Sequence, residues 1–194
     1  MNAIVICLIS ALLSFVPLIE LKGAIPLAFS IFKSELSPFL ILLSCSVGGI
    51  LSSFLIAFIF LFLKKKLVKI KFCARLIKKI DSSFERVLIP TNNQLSTRKK
   101  MAIVFEFCAL PLPLTGVWAS GALCAVLNLN YFQSVLTLVL ANILSAALIT
   151  IVCFLFSDFV DLIVCVMVII FVLQLIYKII SIFVEKKYKT IVKK

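Results

Sequence analysis

The chain has 194 residues, of which 63% are hydrophobic, and its 20 basic residues outnumber its 8 acidic ones. A soluble domain averages about 45–50% apolar residues, and one core of this size cannot bury the excess, so part of it must face lipid. This composition excludes a cytosolic enzyme, a disordered chain and a secreted domain. Twelve basic residues lie in 64–100 and five in 186–194, both beside apolar stretches, which indicates membrane topology rather than a nucleic-acid surface.

The first hydrophobic block, residues 3–32, is interrupted at Pro17, between Glu20 and Gly23, and at Pro26. Two membrane spans need about 40 residues, so this block does not hold two. Proline breaks or kinks a helix, and broken backbone at membrane depth is tolerated only where protein or a wet cavity surrounds it. A re-entrant hairpin meets this condition, and a single kinked span is the alternative.

Glu20 and Lys22 are the most informative residues of this block. An ionisable side chain in the bilayer core costs roughly 2.5–3.5 kcal/mol on insertion scales, so such residues tend to face the interior and mark ion or substrate paths. An acid in a dry setting suits proton exchange, and Gly23 allows a tight turn beside it. In the alternative, residues 3–19 form a short span and both charges are solvated at its outer end.

A simple span is predicted at 37–63, because these residues are nearly free of charge and their helix would cross a core of about 30 Å. The basic loop 64–100 follows, and the positive-inside rule places it in the cytoplasm. Within this loop, residues 67–80 carry their apolar side chains on one helical face. That pattern predicts a surface helix that lies on anionic lipid.

The second broken block covers 101–127 and is interrupted at Pro111, Pro113 and Gly116. If this block returns to the cytoplasm as a re-entrant hairpin, spans 131–156 and 162–184 bring the lysine-rich tail inside as well. A full crossing would leave that tail outside. The re-entrant arrangement therefore satisfies the positive-inside rule in both basic segments.

The tip of the second block offers several groups that could contact an ion or a substrate. Pro111 and Pro113 leave carbonyl oxygens unpaired, and Thr115 adds a hydroxyl next to Gly116. The ring of Trp118 could hold a cation, and an interfacial anchor is the equally favoured alternative.

Two more polar residues lie inside apolar blocks. Glu106 is a second candidate for proton exchange, although it could also snorkel or pair with Arg98 or Lys99. Asn142, in the span 131–156, could cap the broken hairpin or form a hydrogen bond across helices, which is the more common role.

A shift of 93 residues aligns the two halves of the chain. It places 37–63 on 130–156 and Gly23 on Gly116. Small residues then occupy one stripe of both spans: Gly48, Gly49, Ser52 and Ser53 in the first, and Ala141, Asn142, Ser145 and Ala146 in the second. Because the loop 64–100 reverses the second half, the alignment predicts an inverted repeat, which in transporters usually has its site at the repeat interface.

We therefore predict an all-α, multi-pass integral membrane bundle with two re-entrant hairpins in an inverted repeat. Its parts are a first repeat at 1–63, the basic loop 64–100, a second repeat at 101–156, and a segment 157–194 with the final span and a cytoplasmic tail. The chain has no His, and none of its seven Cys lies in a CxxC pattern, so no metal site, cofactor or disulfide framework is predicted. Without HExxH or GxSxG, a membrane-embedded enzyme is the least favoured class.

Two segments resemble the signatures of the small multidrug export family. Residues 17–26, PLIELKGAIP, resemble P-x-x-E-L-R-G-A-I-P, and residues 109–118, ALPLPLTGVW, resemble P-x-P-G-T-G-x-W. Lys22 replaces the usual Arg, which keeps the charge but loses the bidentate fork, and Leu114 replaces a usual Gly. The family is similar in layout to the DedA membrane proteins, which pair two re-entrant hairpins and are associated with lipid handling and the proton-motive force.

The resemblance implies a transporter-like membrane protein. Together with the residues, it predicts a proton-coupled transporter or flippase in which Glu20 exchanges the proton and Lys22 is its partner or an anion contact. A homodimer packed through Gly48 and Ser52 is expected, because three spans make a thin wall. The alternative is a non-transporting membrane-organising or scaffold protein that binds anionic lipid or a partner through its basic loop.

Overall fold

The computed structural model describes residues 2–16, 19–32, 35–67, 96–111, 115–166, 168, 169, 172, 173 and 176. All regular elements in this part of the chain are helical, as the sequence predicts. They are α1 (Ala3–Phe15), α2 (Glu20–Phe32), α3 (Pro38–Leu67), α4 (Thr97–Ala109), α5 (Val117–Val126), α6 (Tyr131–Leu155) and a 3₁₀ turn (Ser157–Phe159). Residues 160–166 are helical again.

Two helices, α3 and α6, form the centre of the molecule and are antiparallel. The start of α3 shares a buried cluster with the end of α6, where Ile41 lies with Cys153, whereas Ile56 near the other end of α3 lies with Val135 near the start of α6. Residues Pro38–Lys64 and Tyr131–Leu155 are each long and apolar enough to cross a membrane. These helices correspond to two of the three simple spans that the sequence predicts.

The two broken blocks each form a pair of short helices, α1 with α2 and α4 with α5. A 13-residue helix such as α1 or α4 is about 20 Å long, which is less than a hydrocarbon core of about 30 Å. The members of each pair pack against one another, and α2 packs against α6 whereas α5 packs against α3. Each pair therefore packs against both long helices, α3 and α6.

The interruption in the first block is narrower than the sequence predicts. Gly23 and Pro26 lie inside α2, which begins at Glu20, whereas α1 ends at Phe15. The residue before a proline is driven out of the α region, which explains why α1 ends at Phe15 and its C-cap, Val16, has ψ 128°. Pro26 cannot donate to the Lys22 carbonyl, but it is buried in the packed α2 and does not end the helix.

Gly48 and Ser52, the residues predicted to pack against a second copy, are both buried by packing within the chain. Ser14 on α1 donates to the carbonyl of Cys45 on α3 at 2.8 Å. A β-carbon on Gly48 would lie 2.0 Å from Ser14 Oγ and 2.1 Å from the Ala11 carbonyl oxygen. This stripe of small residues instead allows α1 and α3 to approach closely.

Several predicted features lie outside the described residues. These are the surface helix at 67–80, the rest of the basic loop from 68 to 95, and the tail at 186–194. Only part of the final span, 162–184, is described, and most of its described residues are exposed.

Candidate functional site

The gap between α4 and α5 brings two helix ends of opposite polarity together. Helix α4 ends at Ala109 with Leu110 as its C-cap, and α5 begins at Val117 with Gly116 as its N-cap. The last carbonyl groups of a helix lack intrahelical partners and carry partial negative charge, whereas the first N–H groups carry partial positive charge. The gap therefore offers both an anion-attracting end and a cation-attracting end.

Glu20 supplies the charge at the positive end. Its Oε1 accepts a hydrogen bond from the backbone N–H of Trp118, in the first turn of α5, at 3.2 Å. Glu20 has a left-handed backbone conformation with φ 49°, which is unusual for a residue other than glycine. A carboxylate at a helix N-terminus is stabilised both by the N–H groups and by the helix dipole.

Gly116 makes this approach possible. A β-carbon at this position would lie 1.2 Å from Oε2 of Glu20 and 2.2 Å from its Cδ. Any other residue at 116 would therefore displace the carboxylate from the start of α5.

Lys22 supplies the charge at the negative end. Its side chain is only 6% exposed, and Nζ donates to the carbonyl oxygen of Leu110 and, at 2.8 Å, to Oγ1 of Thr115. The Thr115 hydroxyl in turn donates to the same Leu110 carbonyl at 3.0 Å. The ammonium group therefore compensates the C-terminus of α4, where a cation is favoured.

Glu20 and Lys22, two residues apart in the first turn of α2, thus hold the two opposite ends of one broken helix pair. In the described part of the chain they are not ion-paired with one another, and each has backbone partners across the gap instead. Hydrogen bonds from these two side chains therefore link the start of α2 to both ends of the gap. Loss of either charge would weaken one side of the gap.

The remaining predicted residues take different positions. Trp118 contributes its backbone N–H to the site, and its ring packs edge-on against Phe60, with centroids 6.4 Å apart. Pro111 is exposed beside Leu110, and Pro113 lies outside the described residues. Glu106 is exposed on α4, and the contacts that hold Glu20 and Lys22 do not involve its side chain.

Asn142 lies at a separate polar contact, where α3 and α6 cross. Its Nδ2 donates to the carbonyl of Gly49 at 3.0 Å and to Oγ of Ser53 at 3.0 Å. Of the two roles predicted for this residue, the structure places it in the one across helices.

Sequence reasoning missed the carbonyl of Leu110 and the role of Lys64. The signal for Leu110 was its place before Pro111, since a residue before proline commonly ends a helix. Lys64, read only as the start of the basic loop, donates to the Ala125 carbonyl at 2.6 Å and to Asn128 Oδ1 at 2.9 Å, at the C-terminus of α5. The described residues contain no cluster of His, Cys, Asp or Glu that could hold a metal ion.

Comparison with known protein families identifies a match that includes the gap and the residues around it. Residues 20–149 match the model of a family described as "Putative small multi-drug export protein". This match begins at Glu20, after α1, and runs from α2 through α5 and most of α6. No curated protein and no solved structure matches the chain. The match covers well over half of the sequence and confirms the resemblance carried by the two signatures, so the chain belongs to the small multi-drug export protein family.

Proposed function

We propose that the protein is a proton-coupled membrane transporter that exports a small molecule or flips a lipid, with its site at the gap between α4 and α5. The observation that carries this proposal is that Glu20 and Lys22 close the gap through the N-terminus of α5 and the C-terminus of α4. Broken helices whose ends meet inside a membrane protein are a common construction for transport sites. The family to which the chain belongs and the two apolar helices support a membrane location.

The proposed architecture is an inverted repeat of two re-entrant hairpins, α1–α2 and α4–α5, each followed by a long helix. The shift of 93 residues that aligns the halves also relates the starts of α3 and α6, at Pro38 and Tyr131. Two polar contacts join residues separated by this same interval, Lys22 with Thr115 and Gly49 with Asn142. A twofold relation brings equivalent positions together near its axis, so both contacts support an axis that passes through the gap and the α3–α6 crossing.

In the proposed mechanism, a proton on Glu20 opens the gap. Protonation removes the negative charge that the N-terminus of α5 stabilises, and the Glu20–Trp118 contact weakens. Helix α5 is then free to separate from α2, which exposes the polar ends to substrate. Deprotonation restores the contact and closes the gap, so that proton movement and substrate movement are linked.

The proposed orientation has the loop 64–100 and the C-terminus in the cytoplasm, with the loop against anionic lipid. The competing scaffold hypothesis depends on this loop, most of which lies outside the described residues.

The test is proton flux in liposomes that contain purified protein, with wild type compared with Glu20→Gln. The matched control is Asp158→Asn, which neutralises an exposed acid outside the gap. Each sample is challenged with an amphiphilic amine, a lipophilic quaternary cation and a polyprenyl phosphate. We expect at least one compound to evoke proton movement in wild type and the control but not in Glu20→Gln. Absence of flux in all three proteins, or equal flux in all three, would overturn the proposal.

A further inference from the structure

Glu106 has an exposed side chain in the middle of an apolar segment. It is the tenth residue of α4, which begins at Thr97, so it lies about 14 Å along the helix from that end. On the same face, one turn away on either side, are Ala102 and Leu110, which are also exposed. The opposite face of α4 is buried through Val104 and Cys108. Charged residues at membrane depth are costly and usually face a partner or a polar path.

A symmetric dimer through this face would not supply that partner. A twofold axis beside α4 would set Glu106 near Glu106 of the second copy, and two like charges in a region of low dielectric repel. A cation that reaches α4 from the lipid phase would be complementary to this side chain. Since the surrounding face is apolar, such a molecule must itself be largely apolar.

The C-terminus of α4 already binds one ammonium group. Its Leu110 carbonyl and the adjacent Thr115 hydroxyl receive N–H groups from the ammonium of Lys22. Glu106 lies four residues before Leu110, about 6 Å along the same helix face. An ammonium group attracted by Glu106 is therefore one helical turn from a site that already holds an ammonium group.

We infer that the exposed face of α4 is a lateral entrance for amphiphilic amines, in which Glu106 attracts the ammonium group from the bilayer. The amine then replaces Lys22 on the Leu110 carbonyl and the Thr115 hydroxyl, while its apolar part stays against Ala102 and lipid. This inference names the substrate class of the proposed transporter and so rests on that proposed function. Lys22 acts as a tethered competitor that fills the site when no amine is bound.

Trp118, the single tryptophan of the chain, gives a direct measurement. It lies in the first turn of α5 beside the gap, and bromine quenches indole fluorescence on contact. Protein in lipid nanodiscs is titrated with a long-chain alkylamine that carries bromine close to its ammonium group and, separately, with an alkanoate of equal length brominated close to its carboxylate. We expect the amine to quench Trp118 at lower concentration than the alkanoate. In Glu106→Gln we expect the Kd of the amine to rise about fivefold or more, because a charge–charge attraction is lost.

The matched control is Asp158→Asn, which removes an exposed acid from the other end of α6 and is expected to bind the amine as wild type does. A second variant, Lys22→Met, removes the tethered competitor, so the amine is expected to raise its melting temperature more than that of wild type. Equal amine affinity in Glu106→Gln and wild type would overturn the inference, as would equal quenching by amine and alkanoate.

The two proposals fail in different ways. Amine binding that depends on Glu106 but is never accompanied by proton flux would remove the transporter and leave the entrance. Proton flux that depends on Glu20, with amine affinity independent of Glu106, would remove the entrance and leave the transporter.

Discussion

The carboxylate of Glu20 occupies the position where a side chain at residue 116 would begin: a β-carbon on Gly116 would lie 1.2 Å from its Oε2. The side-chain acceptor for the Trp118 N–H at the start of α5 therefore lies 98 positions earlier in the chain, and the missing side chain of Gly116 makes room for it. The first half of the chain supplies the charges, and the second half supplies the helix ends that receive them.

Gly116→Ala is expected to displace the Glu20 carboxylate and lower stability by about 1–3 kcal/mol, as overpacking of a filled site does. The control is Gly23→Ala, whose new β-carbon would lie 3.2 Å from Cγ2 of Ile19 and 3.9 Å from its Cβ, a much smaller conflict, and would favour the helix. Thermal unfolding in detergent, followed by Trp118 fluorescence, measures both. Equal melting temperatures for the two variants would contradict the close approach seen here.

Lys22→Met is expected to lower stability by about 1–3 kcal/mol, because the Leu110 carbonyl and the Thr115 hydroxyl lose a buried donor. Lys22→Arg keeps a charged donor and is expected to retain most of that stability, in keeping with the arginine of the family signature. Thermal unfolding at matched detergent and salt compares them. A Met variant as stable as the Arg variant would show that the ammonium does not hold the gap closed.

Asn142→Ala is expected to lower stability by about 0.6–1.7 kcal/mol, the range of hydrogen bonds between helices in membranes. Ser53→Ala removes one of its two acceptors. The double variant is expected to be less destabilised than the sum of the two single changes, because both remove the same contact. Strict additivity in a double-mutant cycle would mean that the Asn142–Ser53 contact contributes nothing.

Gly48→Ala is expected to weaken the α1–α3 contact, since the new β-carbon would meet the Ala11 carbonyl at 2.1 Å. The melting temperature is expected to fall without a change in oligomeric state. Light scattering in detergent and a thermal melt measure the two quantities separately. A shift from dimer to monomer at unchanged melting temperature would restore this stripe as an interface between copies.

The proposed inverted repeat predicts which side of the membrane each connection faces. In a cysteine-free background, Asn2→Cys, Glu35→Cys and Asp158→Cys are expected to react with an impermeant maleimide from outside intact cells. Asn128→Cys is expected to react only after the cells are opened. Labelling of Asn2→Cys from the cytoplasmic side alone would make residues 3–32 a single crossing.

The elements of this fold were readable from the sequence because lipid makes hydropathy a strong signal. Blocks of 23 to 30 apolar residues, two of them broken, gave α3, α6 and the two helix pairs. Charge within apolar surroundings also indicated Glu20 and Lys22. The break in the first block was placed too broadly, because proline can remain inside a helix, as Pro26 does, when its surroundings are packed.

The partners of these charges were not predictable from residue types. Lys22 binds the backbone carbonyl of Leu110, and Glu20 binds the backbone N–H of Trp118. Every residue has a backbone carbonyl, and every residue except proline has a backbone N–H, so residue type does not identify these partners. Only the three-dimensional position of the first turn of α2 beside the gap decides which of these groups the two side chains contact. The stripe at Gly48 shows the same difficulty, because small residues indicate close approach without indicating whether the neighbour is α1 or a second copy.

Helix α5 is only ten residues long, and each of its ends is held by a charged side chain from another helix, Glu20 at its start and Lys64 at its finish. It therefore connects the gap between α4 and α5 with Lys64, the first residue of the basic loop. A displacement of one end of α5 would be transmitted to the other end through about 15 Å of hydrogen-bonded helix. We expect that a change which draws Lys64 away from the Ala125 carbonyl also loosens the contact of α5 with Glu20, so that two distant parts of the chain are coupled through this one short helix.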